Sequence, residues 1–129
     1  MRIKTSELSG AALDWAVAKA LGLNPNTNPE VRRQYVGYPG FAEANGFGYP
    51  IKNYGSDWSQ GGPIIEEKEI YVVPSGGGST KWKAWFWVSE TQNFTPDQYG
   101  PTPLIAATRC YVASELGDKV EVPDELLRN

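Results

Sequence analysis

A chain of 129 residues, 40% hydrophobic with a formal net charge of −3, is sized for one domain, residues 1–129, around a single core, and its acidic balance argues against duplex nucleic acid as a partner. Histidine is absent, so there is no Ser–His or Cys–His nucleophile pair, and with one cysteine a zinc site would need mostly carboxylates. A glutamate of raised pKa or a carboxylate-held Mg²⁺ stays open, which leaves catalysis disfavoured rather than excluded.

The opening Met1–Glu7 has no apolar core that could serve as a secretory signal, and no later apolar run approaches the ~20 residues of a membrane span. Arg2 to Lys4 can form a first strand. Ser9 then reads as a helix N-cap, with Leu8 before it and Leu13 at the spacing of a hydrophobic staple. The helix is expected from Gly10 to Leu21, with Leu13, Val17, Ala20 and Leu21 facing the core and Gly22 supplying a left-handed stop.

Residues 24–54 are dense in turn punctuation and are expected to be irregular. Six aromatic residues, from Tyr35 to Tyr54, are interleaved with those turns and either pin the loop to the body or line a pocket. Arg32-Arg33 is the only adjacent basic pair; it reads as a solvated feature, with a small basic pocket for one phosphorylated ligand as the sharper alternative. Gly61-Gly62-Pro63 is expected to force a turn, with Pro63 opening a short helical turn. Glu66-Glu67-Lys68-Glu69 reads as a solvated charge run rather than a metal site.

Ile70 to Val73 and Lys81 to Val88 read as paired strands, joined through the glycine-rich stretch 74–80. That stretch is a flexible loop and not a phosphate cradle, since no Gly-Lys-Ser/Thr follows it. Along the second strand Trp82, Ala84, Phe86 and Val88 point one way, and Lys81, Lys83, Trp85 and Trp87 the other. Its apolar second half needs cover on both faces, which predicts a homo-oligomer. Thr102 caps a second helix, with Pro103 at its first position and Gly117 at its end. Cys110 within it is expected to pack as a small apolar side chain; as the lone cysteine it allows no intrachain disulfide and fits a reducing compartment. Lys119 to Val122 can add a last strand. The expected fold is α+β: a small, mainly antiparallel sheet with two packed helices and a long aromatic-rich loop.

The best candidate site is the loop Tyr54 to Gly62. Trp58 can stack a base, Gly61 and Gly62 let backbone amides approach a phosphate, and Gln60 reads polar edges, while Tyr54 and Asp57 shape the pocket. Arg109, the basic residue of the second helix, is the candidate phosphate partner. The alternatives are that Trp58 anchors the core, that the glycines only turn the chain, and that Arg109 reaches solvent or pairs with an acid such as Asp14. No catalytic residue, metal site or cofactor is expected.

Three blocks, Lys4–Lys19, Asp57-Trp58-Ser59-Gln60-Gly61-Gly62-Pro63-Ile64-Ile65-Glu66, and Thr102–Ser114 running into Leu116-Gly117-Asp118, resemble the NinX-type proteins of tailed phages and prophages. The resemblance implies a phage accessory product working in the cytoplasm of the infected bacterium, and supplies no activity. By analogy with compact phage proteins that sequester nucleotide immune signals, the expected function is non-catalytic sequestration of a small nucleotide-type ligand. An adaptor docking on a host protein and a carboxylate/Mg²⁺-dependent phosphohydrolase are the alternatives.

Overall fold

The computed structural model describes residues 1–35, 37–76 and 81–127, and of Pro29 the backbone alone. Among the described residues the helices are α1 (Gly10–Ala20), α2 (Pro29–Tyr35), α3 (Pro39–Ala44), α4 (Trp58–Lys68) and α5 (Pro103–Leu116). The strands are β1 (Arg2–Lys4), β2 (Pro25–Asn26), β3 (Tyr49–Pro50), β4 (Tyr71–Pro74), β5 (Trp82–Trp85), β6 (Trp87–Val88), β7 (Asn93–Phe94), β8 (Gln98–Gly100) and β9 (Lys119–Glu121). The fold is α+β. Its largest sheet is antiparallel, in the order β4-β5-β8. Helix α5 packs on one face of that sheet, and α1 and α4 pack on α5. Strand β1 pairs antiparallel with β9, Ile3 opposite Val120. None of the described helices is long and apolar enough to cross a membrane.

Helix α1 is buried along most of its length, from Ala12 to Val17 and on to Ala18. Leu8 and Leu13 are both fully buried, as a staple requires, and Trp15 joins the same core. The stop is a left-handed Gly22, whose amide donates to Lys19 O at 3.0 Å while Leu23 N donates to Ala18 O at 3.1 Å. Two residues depart from the sequence pattern. Leu21 lies beyond the last helical turn and is 39% exposed. Ser9 holds the N-cap position with extended backbone, but its side chain makes no cap hydrogen bond.

Helix α5 follows its sequence signals. Thr102 caps it by accepting from Ile105 N at 3.1 Å, Pro103 begins it, and Gly117 ends it with φ of 92°. Leu104, Ala107, Tyr111 and Val112 are buried, and Cys110 is fully buried. Gly100 on β8 lets the helix close on the sheet, since a Cβ there would lie 2.7 Å from Ala106 N.

The strand expected over 81–88 is broken at Phe86. Phe86 turns into the core, its amide donating to Thr95 Oγ1 at 3.1 Å, and the chain leaves β5 to form a separate hairpin, β6–β7. The alternation survives the break: Ala84 and Phe86 are buried, while Trp87 is 46% exposed. Part of the expected glycine-rich connection, residues 77–80, lies outside the described residues.

Residues 24–54, expected to be irregular, contain α2, α3 and a parallel pairing of β2 with β3. Of the Asn-Pro and Tyr-Pro steps read as turns, Asn28-Pro29 and Tyr38-Pro39 are helix starts, while Pro25 and Tyr49-Pro50 belong to strands β2 and β3. Asn28 Oδ1 accepts from Glu30 N at 2.9 Å beside Pro29, and Pro39 begins α3 after Tyr38. Tyr35 stacks on Phe41 and on Phe47, with ring centres 5.6 and 5.4 Å apart, so part of the aromatic content packs these short elements onto one another.

Candidate functional site

Residues 54–62 do not form an open loop. Asp57 caps α4, its Oδ1 accepting from Ser59 N at 2.9 Å and from Ser59 Oγ at 2.7 Å, and these bonds hold its carboxyl below the ordinary carboxylate range. The helix therefore begins five residues before Pro63, and Gly61-Gly62-Pro63 lies inside it rather than forcing a turn. Gly61 is required by packing: a Cβ there would overlap the carbonyl oxygen of Tyr54 and lie 2.8 Å from Leu104 Cδ1. Gly62 has ordinary room, with Trp58 Cε3 at 3.7 Å. Tyr54 is buried in the core, and burial, with Tyr49 beside it, pushes its phenol pKa up. Gln60 Oε1 accepts from Asn53 N.

Trp58 differs from its neighbours. It stands at the start of α4 with 56% of its surface exposed. Arg109, on α5, donates from Nε to Leu8 O and from Nη1 to Tyr99 O, both at 2.8 Å, and so ties the approach to α1 to strand β8. Partial burial lowers its pKa. Neither the solvent nor the Asp14 partner considered for Arg109 describes these two bonds. Asp14 is instead opposite another arginine, Arg32.

Asp14 is 5% exposed on α1. Its Oδ1 accepts from Gly55 N at 2.9 Å, and its Oδ2 lies 4.0 Å from Arg32 Nη2 of α2. Burial pushes its pKa up to about 6, against the downward pull of the Gly55 amide and the Arg32 charge. A separation of 4.0 Å is longer than the ~2.7–2.9 Å of a charge-assisted hydrogen bond, so Arg32 is held near the carboxylate by its charge, without a close bond. Its neighbour Arg33 is exposed and closed onto Glu30 at 2.8 Å. The two arginines of the basic pair thus differ: one is solvated, the other half-buried over an acid.

Arg32 lines a cleft of about 680 Å³. Ala11, Ile51 and Leu126 supply its apolar surface, Asn26, Thr27, Asn28 and Arg32 its polar groups, and Glu125 one carboxylate. Hydrogen bonds brace the wall where it bends. Asn28 N donates to Asn26 Oδ1 at 2.7 Å, Asn26 Nδ2 donates to Phe47 O, and Thr27 Oγ1 bonds Glu125 across to the C-terminal turn. An apolar bed with a few convergent polar groups and one titrating acid nearby is the general pattern of a small-molecule site. The sequence held one signal for it, the Arg32-Arg33 pair amid aromatics. What it lacked was the fold that carries Arg32 to Asp14.

Cys110 packs as expected: its thiol lies 3.3 Å from Thr95 Oγ1, and burial pushes its pKa up to about 11. Among the described residues no three histidine, cysteine or acidic side chains come together in a group that could hold a metal ion. A family model described as bacteriophage P22 NinX matches residues 4–115. A comparison with curated proteins gives no match.

Proposed function

The chain belongs to the bacteriophage P22 NinX family, and from that premise we propose that it binds and sequesters a small nucleotide-type ligand in the cleft beside Arg32, without changing it chemically. The observation that carries this reading is the half-buried Arg32 guanidinium, 4.0 Å from Asp14, at the edge of an apolar cleft. A guanidinium without a close acid partner can turn its fork onto a phosphate, which takes two parallel hydrogen bonds. The apolar bed of Ala11, Ile51 and Leu126 suits the flat face of a base, and the Asn26 and Asn28 amides in the same lining can read its edge. Sequestration of this kind would let a phage remove a nucleotide immune signal in the host cytoplasm.

Thermal shift and calorimetry with a cyclic dinucleotide and with ADP-ribose test the reading. Binding is expected with one of them, and Arg32→Ala is expected to weaken it more than ~10-fold, about 1.4 kcal/mol. Trp58→Ala is expected to leave the affinity unchanged, because Trp58 does not line this cleft. Recovery of the probe intact after denaturation supports sequestration, and recovery of a cleaved product would establish an enzyme instead. A loss on Trp58→Ala with none on Arg32→Ala would return the site to residues 54–62.

A further inference from the structure

The outer face of the β4-β5-β8 sheet, opposite α5, is aromatic. Tyr71 stacks on Trp85 with ring centres 5.1 Å apart and an angle of 7° between planes. Phe94 of the hairpin stands edge-on to Tyr71 at 6.3 Å and to Trp87 at 5.0 Å. The result is a continuous ladder, Trp85–Tyr71–Phe94–Trp87, of which Tyr71, Phe94 and Trp87 are each about half exposed. Single exposed aromatics are ordinary on a protein surface, but a contiguous row of them marks a contact surface.

What the ladder contacts is indicated by charge. Its Tyr71–Trp87 end opens into a cleft of about 620 Å³ where α4 and α5 end. Glu67, Glu69, Glu90 and Glu115 line that cleft, against one cation, Lys68. Lys68 is turned to the ring of Tyr111, 5.9 Å from its centre. At the opposite end of the ladder Lys83 Nζ lies 5.2 Å over the Trp85 ring, so this face already holds one cation on an aromatic plane. Ring faces carry partial negative charge, and carboxylates beside them add to it. A phosphate or a nucleic acid strand would be repelled here, and a second copy of the chain would bring one acidic rim against another.

We propose that the aromatic ladder and its acidic cleft are a docking surface for an arginine-rich segment of a partner protein. Guanidinium planes stack on the exposed rings, and their charge answers the glutamates. Arginine suits the surface better than lysine because its flat, weakly hydrated head can stack and donate to a carboxylate at once. The surface shares no lining residue with the Arg32 cleft, and the inference stands whether or not that cleft binds a nucleotide.

Fluorescence anisotropy with a labelled nona-arginine peptide and a labelled nona-lysine peptide, titrated with the full chain, tests it. Nona-arginine is expected to bind severalfold more tightly than nona-lysine. Trp87→Ala and Glu90→Gln are each expected to weaken it about 5- to 10-fold. Glu90 sits at the exposed hairpin tip, so its variant reads binding even if Trp87→Ala proves misfolded by circular dichroism. Glu30→Gln, which removes the same charge from α2, and Arg32→Ala should both leave the affinity unchanged. Equal losses from Glu30→Gln and Glu90→Gln would reduce the effect to overall charge and overturn the proposal. So would a Trp87-dependent dimer in sedimentation, or Trp87-dependent binding of a ten-nucleotide oligo(dT) strand.

Discussion

Residues 54–62 and residues 85–94 both mix aromatic with small polar side chains, and the fold turns them in opposite directions. In the first, Tyr54 is 4% exposed, Asp57 caps a helix, Gln60 bonds a backbone amide and Gly61 fits against the Tyr54 carbonyl. In the second, Phe86 alone is drawn inward, and Trp87 and Phe94 are left 46% and 53% exposed. Composition that suits ligand binding also suits the close approach of a helix to a chain turn. The bonds that each polar group already makes, and the exposure left to each ring, separate the two cases. Trp58, 56% exposed in an otherwise committed segment, is the one residue of the first group whose surface resembles the second.

The comparison breaks most readily at Gly61. An alanine methyl there would overlap the Tyr54 carbonyl oxygen and press on Leu104, and overpacking against backbone should cost about 3 kcal/mol. Gly62→Ala, one residue on, has room for its methyl and should be neutral or stabilise by up to ~1 kcal/mol, since alanine is the better helix former. Urea midpoints of the two variants measure the contrast. A Gly61→Ala protein as stable as the parent would mean that residues 54–62 are free after all.

A comparable effect should appear with pH at Asp14, whose bond to Gly55 anchors the same segment to α1. The folded carboxyl holds its proton up to about 6, whereas an unfolded aspartate releases it near ~4. The folded state therefore binds more protons between those values. This contribution to stability is fully present below ~pH 4 and is lost as pH rises through about 6, a change of order 3 kcal/mol for a shift of about two units. Asp14→Asn keeps an acceptor for Gly55 and has nothing to titrate. Urea melts from pH 4 to 7 should show the parent losing stability relative to this variant as pH rises; parallel curves would remove the buried-acid account.

Trp87→Ala sharpens the comparison from the other side. A ring half in solvent supports little of the core, and its removal should change stability by no more than ~0.5 kcal/mol, read from the same midpoints. A loss of several times that would make the hairpin ring structural, like Tyr54.

How much of this was legible in the sequence follows from the range of the forces involved. The staple at Leu8 and Leu13, the Thr102 cap with Pro103, and the Gly22 and Gly117 stops act within a turn or two of helix, and each lies where its spacing indicates. The family-like blocks turn out to contain α1, α4 and α5, the first two packed on the third. They mark the fold more than the site. A local reading misplaces the start of α4 because Gly61-Gly62-Pro63 looks like a breaker and outweighs the cap signal of Asp57, while the fit of Gly61 against Tyr54 and Leu104 is settled by packing. Arg32 reads as a solvated residue because nothing local to α2 reveals a buried acid on α1. The bend at Phe86 depends on Thr95, nine residues later, and is equally invisible to a period-two pattern.

The smallest effect is expected at Ser9, where the sequence carries the same cap signal as Asp57 and the bond behind it is absent. Asp57 accepts from Ser59 through two hydrogen bonds, whereas the Ser9 side chain makes no cap bond although its backbone is extended, as a cap requires. The first turn of α1 is held instead by Leu13 N donating to Ser9 O at 3.3 Å, a backbone bond that alanine preserves, and by the burial of Leu8 and Leu13. Capping stabilises a helix because a side-chain oxygen satisfies a free amide, so the residue type alone contributes little when that bond is not made. Ser9→Ala should therefore cost a few tenths of a kcal/mol at most, below the ~1 kcal/mol of a working cap. Asp57→Ala should lower the urea midpoint clearly more than Ser9→Ala does. If the two shifts are equal, bonds made are a poorer guide than residue type, and the distinction drawn between residues 54–62 and 85–94 loses its footing.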